Sequence, residues 1–406
     1  MELQGHCDER FAEVADEFER NLTERGDLGA SVAVSVDGEA VVDLWGGWID
    51  PERTRAWDKD TLVVIMSCTK GATALCAHLL ATAGQLDFDA PVARYWPEFG
   101  ANGKDGVLVR HLLDHQAGLP AVREFLDPGA FLDWDGMVER LAAEELFWEP
   151  GSAYGYHALT FGFLVGEVIR RIDGRDLGTF FAEEVARPLG LDLWIGLPAS
   201  EHPRVSPLHP PDLPSEIGPV SRFDQARFSD PTSLAALVTL NTGNYLVPGE
   251  WDSPAHLGAV LPASGGVGNA RSLAAMYRAI VHDRRIGRFE LDAEDVERMG
   301  AVRSALGEDR VLLTNGRWAL GFHKSSCTPD GVEPAARVVL GEQAFGHTGF
   351  GGSIGFADPG AGLSFAYVMN KMGLSMGLGP TGQSLVDATY RALGYHESKY
   401  GDGWVR

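Results

Sequence analysis

Basic residues are scarce in this 406-residue chain: 34 lysines and arginines stand against 57 aspartates and glutamates, a formal net charge of −23. A nucleic-acid backbone is bound by a basic stripe that displaces its counterions, so this balance argues against a nucleic-acid binder. It also disfavours adsorption to anionic membranes, and the acidic surface reads as solubility. Long apolar runs are missing too; no stretch approaches the roughly 18 residues of a membrane span. The first segment, MELQGHCDERFAEVADEFER, has neither the basic region nor the apolar core of a secretory signal, so a cytoplasmic location is expected. The only cysteines are Cys7, Cys68, Cys76 and Cys327, without C-x-x-C spacing, and they read as reduced thiols.

What is present is the composition of a globular protein, 45% hydrophobic and 22% charged, long enough for two or three domains or one large two-part unit. Residues 8–25 carry Phe11, Val14, Ala15 and Phe18 at helical spacing. In ASVAVSVDGEAVVDLWGG (30–47), two β-branched runs meet at Asp37-Gly38, a strong hairpin signal. A helix is expected from Ser67 to about Ala83, stopped by Gly84, with helical pieces over 107–147 and buried helices at 158–172 and 272–280. Residues 198–219 are proline-rich and read as a long surface loop without regular structure. Strands are expected at 318–325, 343–359 and 362–370, and a closing helix at 384–394. Strands therefore cluster near both ends. The expected fold is α+β: one antiparallel sheet from N- and C-terminal strands, flanked by helices. Its domain would comprise 1–80 and 250–406, with a mainly helical domain at 81–249 and an active-site cleft between them.

Two serines compete as nucleophile. Ser353 lies in GGSIG (351–355), a G-x-S-x-G match. That motif works where a strand enters the serine and a helix leaves it. Here a turn and another strand follow, so Ser353 fails the test. Ser67 lies in Ser67-Cys68-Thr69-Lys70. At i, i+3 on a helix, the serine and lysine side chains share one face. A serine near a helix N-terminus has free N–H groups and the positive end of the dipole beside it. A partly buried lysine is pushed toward its neutral form and can take or relay a proton.

Other motifs carry less. His111 and His115 in HLLDH have zinc-helix spacing, but Leu112 stands where the glutamate belongs and no third ligand is apparent, so no metal is expected. GGVGNA (265–270) lacks the βαβ frame of a dinucleotide site, and no cofactor is expected. Trp194, His202 and His209, in or near the proline-rich loop, are candidates to line an acyl or alcohol pocket, although plain loop is the simpler reading.

Reading outward from Ser67, the chain resembles the serine β-lactamase and penicillin-binding-protein superfamily, most of all the class C-like family VIII carboxylesterases. The resemblance rests on SCTK, VRHLLDHQAGLP (109–120), EPGSAYGYHALTFGFLVGEVI (149–169), ASGGVGNARSLAAMY (263–277) and GHTGFGGSIGFADP (346–359), in order. It implies a β-lactamase-like fold and acyl transfer through acyl-Ser67. Lys70 and Tyr156 would share the proton work, with Lys70 as the cation that lets the Tyr156 phenol act as base. The backbone N–H groups of Ser67 and Phe350 would form the oxyanion hole. His347, Thr348 and Gly349 would form the substrate-binding strand, with Gly349, Gly351 and Gly352 making room for the acyl group, and His157 and Ala158 would count among the substrate-binding residues.

The chain departs from that pattern twice. Tyr156-His157-Ala158 puts Ala158 where an asparagine is usual, and His347 replaces a lysine. Both changes favour small neutral esters over β-lactams or D-amino-acid peptides. The expected partner is therefore a small ester or acyl substrate. An acyltransferase that passes the acyl group to an amine or alcohol is the alternative, and a non-catalytic protein of the same fold a more distant one. Oligomeric state is not legible.

Overall fold

A computed structural model of the chain describes residues 3–212, 221–305, 307–326, 338–374 and 377–406. Cys327 and residues 213–219 of the proline-rich loop lie outside the described residues.

Six strands form one antiparallel sheet in the order Gln4–Cys7, Glu39–Gly47, Gly29–Val36, Leu363–Met369, Ile354–Asp358, Phe345–Thr348. Three strands come from each end of the chain, the ends where strands were expected, although Gln4–Cys7 was not among those expected. The seam is the pairing of Gly29–Val36 with Leu363–Met369, held over Ala30↔Met369 to Val36↔Leu363. The first hairpin turns at Asp37 (φ 48) and Gly38 (φ 86), the left-handed pair that a two-residue turn requires.

Side chains alternate across this sheet. Val32, Val34, Phe365 and Tyr367 face the terminal helices Ala12–Thr23 and Gly379–Ala392, whose Phe18, Leu22, Leu385 and Tyr390 complete one core. Ala33, Ala366 and Val368 face the other way, onto the helix Ala270–Arg278. The small residues on that face let the helix lie close. At Gly355 an added Cβ would come within 2.6 Å of Leu273. The same hydrophobic cluster continues into the helices Thr69–Thr82 and Thr160–Asp173, so apolar packing is unbroken from the sheet to the helical part.

A second, three-stranded sheet has the order Val63–Val64, Gly266–Gly268, Leu193–Ile195. It lies directly under the serine–lysine segment. GGVGNA thus forms a strand that leads into a helix capped by Asn269, whose side chain accepts from the Ser272 N–H.

Three expectations change. Residues 318–325 do not form a strand: the segment folds back on itself, with Trp318 bridged to His323 and Ala319 N–H donating to Phe322 O at 2.8 Å. Gly321 (φ 84) makes that reversal possible, and its N–H donates to Leu113 O. The proline-rich loop does hold a regular element, the 3-10 helix Ala199–Arg204, because the fixed φ of Pro203 suits a short helix with few required N–H donors. The helix after Ser67 begins at Thr69, and the residues before it form a separate turn.

Candidate active site

Ser67 sits in one turn of 3-10 helix, Met66–Cys68, that leads into the helix Thr69–Thr82. Met66, buried and not glycine, has φ 48. A side chain held in the left-handed region stores strain, which persists only where neighbours fix the backbone. Here they do. Ile65 N–H donates to Gly266 O at 2.9 Å, Thr69 Oγ1 donates to Met66 O at 2.6 Å, and the same oxygen accepts from Gly266 N–H at 2.8 Å. The turn is thus tied to the small sheet beneath it.

Lys70 is fully buried, although its charged form would be strongly solvated in water. Its Nζ lies 3.2 Å from Ser67 Oγ, 2.6 Å from Ala158 O and 2.9 Å from Ala263 O. Burial holds its pKa well below the ordinary lysine value. A neutral amine has two hydrogens and one lone pair. The two carbonyls take the hydrogens, which leaves the lone pair for the Ser67 hydroxyl.

Tyr156 lies in the irregular segment before the helix Thr160–Asp173. Its side chain neighbours Ser67, and its ring lies 4.9 Å from Lys70 Nζ. Burial pushes its pKa above the ordinary phenol value, and Ser67 only partly opposes that. This reverses the expectation that Lys70 is a cation that ionises Tyr156. With both groups buried, desolvation favours neutral amine beside neutral phenol.

The edge strand Phe345–Thr348 runs up to this turn. Cys68 Sγ donates to His347 O at 3.2 Å, which fastens strand to turn. Gly349 follows, so close that a Cβ there would lie 2.5 Å from Ile65 O. The next residue is Phe350. Among the described residues, neither the Ser67 N–H nor the Phe350 N–H has an acceptor. The two donors lie on the two segments that meet at the nucleophile turn, and an oxyanion needs donors of this kind.

The glycines of GGSIG have a different role from the expected one. Gly351 (φ 95) and Gly352 (φ 124) form the turn after Gly349, where a Cβ on Gly351 would meet Met372 at 2.9 Å. They make room for protein rather than for an acyl group. Ser353 is buried in that turn, its carbonyl taken by Gly349 N–H at 2.7 Å.

The remaining expected residues divide. His347 Nδ1 donates to Thr348 O at 2.7 Å, so a neutral ring keeps Nε2 as a bare acceptor, buried and unpartnered among the described residues. Burial holds its pKa well below the ordinary imidazole value, so it is no substitute for a fixed cation. Ala158 enters through its carbonyl on Lys70. Thr348 is buried at the strand end. His157 is turned away from the cleft: Nδ1 donates to Gly155 O at 2.7 Å and Nε2 accepts from Leu119 N–H at 3.0 Å. With both nitrogens used it holds loops together, contrary to its expected place among substrate-binding residues.

His111 Nδ1 accepts from Leu108 N–H and His115 Nδ1 from His157 N–H, so both histidines of HLLDH serve local backbone. His202 bonds Leu197 O and His209 bonds Ile49 O, which ties down the proline-rich loop.

The sequence reading missed an aromatic wall around Tyr156. Trp318 stacks on Tyr156 at 5.2 Å and 11°, His323 stacks on the far face of Trp318 at 4.6 Å, and His115 meets Trp318 edge-on at 4.5 Å. Trp318 and His323 belong to the segment read as a strand, whose fold-back delivers them to the site. The one available signal was Gly321, which interrupts the alternation.

The chain is similar to known proteins over most of its length. A family model described as Beta-lactamase matches residues 15–387. The chain is 39% identical to Esterase/beta-lactamase LipL of Mycobacterium tuberculosis (strain ATCC 25618 / H37Rv) over 385 residues, covering 91% of this chain and 83% of that protein. A solved family VIII carboxylesterase superposes with a TM-score of 0.81 at 37% identity, over 97% of this chain and 100% of the other. A penicillin-binding protein homologue from Caulobacter crescentus superposes with a TM-score of 0.82 at 37% identity, over the same shares.

Proposed function

The chain belongs to the Beta-lactamase family, and from that premise we propose that it is a serine hydrolase that cleaves small carboxylic esters through an acyl-Ser67 intermediate. The observation that carries this reading is Lys70 Nζ at 3.2 Å from Ser67 Oγ, with Ala158 O and Ala263 O at 2.6 and 2.9 Å from the same nitrogen.

In this reading Ser67 Oγ attacks the ester carbonyl while its proton passes to neutral Lys70. The oxyanion forms against the N–H groups of Ser67 and Phe350. The proton then reaches the leaving alkoxide through the Tyr156 hydroxyl beside Ser67. Water follows the same route in reverse and releases the acid. Ser67, Lys70 and Tyr156 are the catalytic residues, and His347, Thr348 and Gly349 form the wall along which the acyl group lies. The neutral ring of His347 offers no charge partner to a substrate carboxylate, which favours neutral esters over β-lactams. Among the described residues no helix is long and apolar enough to cross a membrane.

The test is hydrolysis of p-nitrophenyl acetate and butyrate, with intact-mass detection of the acyl-enzyme. Wild type should gain one acyl group, and Ser67→Ala should lose both the adduct and the activity. Unchanged hydrolysis by Ser67→Ala would remove Ser67 from the mechanism.

A further inference from the structure

Tyr156 is placed by no helix or strand of its own, yet a proton-transfer group must be held within a fraction of an ångström. What holds it is a loop far along the chain. Its backbone N–H donates to Asp309 Oδ1 at 3.1 Å, across 153 residues of sequence. The same oxygen accepts from Val311 N–H and Leu312 N–H, both at 2.8 Å. Arg310 N–H donates to Tyr154 O at 3.0 Å, and Tyr154 Oη donates to Gly307 O at 2.8 Å. Gly155 lets the two segments meet, since a Cβ there would lie 3.1 Å from Val311. Val311 then packs with Tyr156 and Trp318 in a small separate cluster.

The Asp309 carboxylate is an expensive way to make this clamp. It is fully buried, and its Oδ2 has no partner among the described residues. Burial pushes its pKa up to about 6, even against three N–H donors. A loop that needed only to be closed could use a neutral acceptor. An acceptor that serves three N–H groups from one oxygen gains from full negative charge, because charge-assisted bonds are shorter and stronger.

Building on the role given to Tyr156 above, we infer that Asp309 is a positioning residue for catalysis: its Oδ1 fixes the Tyr156 backbone so that the phenol meets Ser67. The residue touches neither substrate nor reacting atom and acts only through Tyr156.

The experiment is a double-mutant cycle in the intact protein, read as kcat/KM for p-nitrophenyl acetate per active site titrated with a fluorophosphonate. Asp309→Ala should lower kcat/KM about 10- to 100-fold, the scale of a misplaced catalytic group. Asp309→Asn keeps an oxygen acceptor without the charge and should recover part of that loss. In a Tyr156→Phe background, Asp309→Ala should cost less than about threefold, since there is no phenol left to position. Equal losses in both backgrounds, or no loss per titrated site in Asp309→Ala, would overturn the inference while leaving the ester-hydrolase reading intact. A Tyr156→Phe enzyme of unchanged activity would instead remove Tyr156 from the mechanism, and Asp309 with it.

Discussion

Gly349 packs against Ile65 so closely that a single added carbon would come within 2.5 Å of the Ile65 carbonyl oxygen. This contact sets the gap between the edge strand and the nucleophile turn, and so the spacing of the Phe350 and Ser67 N–H groups.

Gly349→Ala should therefore lower kcat/KM about 100-fold, because backbone cannot yield as a flexible side chain can. Circular dichroism should show a folded protein, since the strand end rather than the core is displaced. Activity close to wild type in a folded variant would mean that the two N–H groups do not act together.

Lys70→Arg separates the neutral-amine reading from a purely cationic one. Arginine keeps the charge but does not deprotonate, so it has no lone pair for Ser67. Loss of acylation by a rapid-mixing burst assay is expected. In wild type, burial depresses the Lys70 pKa, so acylation should rise with pH as Lys70 loses its proton and plateau well below pH 10.5. Tyr156, held above its usual range, stays protonated across that plateau.

Trp318 lies flat against Tyr156, and removal of the indole leaves that ring free to tilt. Trp318→Ala should lower kcat/KM about tenfold or more, whereas Trp318→Phe keeps a stacking face and should lose less. Identical rates for the two variants would show that the stack has no bearing on catalysis.

His157 gives a stability prediction with a definite sign. Its pKa is pushed down to about 4 in the folded chain by burial, from an ordinary 6.5. Between those values the unfolded chain binds the proton and the folded chain does not, so its contribution to stability is lost as pH falls from about 6.5 to 4. The loss amounts to about 3 kcal/mol. His157→Gln should be less stable than wild type in urea at pH 7, and the gap should narrow by pH 4.5. Asp27 and Asp114, raised to about 7 by burial, titrate in the opposite direction in both proteins and cancel from the difference.

Much of this protein was legible before any coordinates. The Asp37-Gly38 hairpin, the helix across 160–173 and the closing pair of strands follow from side-chain periodicity and turn chemistry, which are local properties. The pairing of Ser67 with Lys70 is local too, because three residues of helical backbone bring them to one face. The ordered segments around them were enough to place the chain in its family.

The protonation states were not legible. Whether Lys70 is a cation depends on how deeply it is buried and on Ala158 O and Ala263 O, which arrive from 88 and 193 residues away. The role of each glycine in GGSIG depends on what packs against it, Met372 at Gly351 and Leu273 at Gly355. The fold-back at Gly321 that carries Trp318 to Tyr156, and the reach of Asp309 to the Tyr156 N–H, are contacts between distant segments. Sequence alone determined which groups are chemically able to act, since that is fixed by residue type and local geometry. Only the tertiary structure decided their charge and aim, because desolvation and long-range hydrogen bonds exist only once the chain has closed around them.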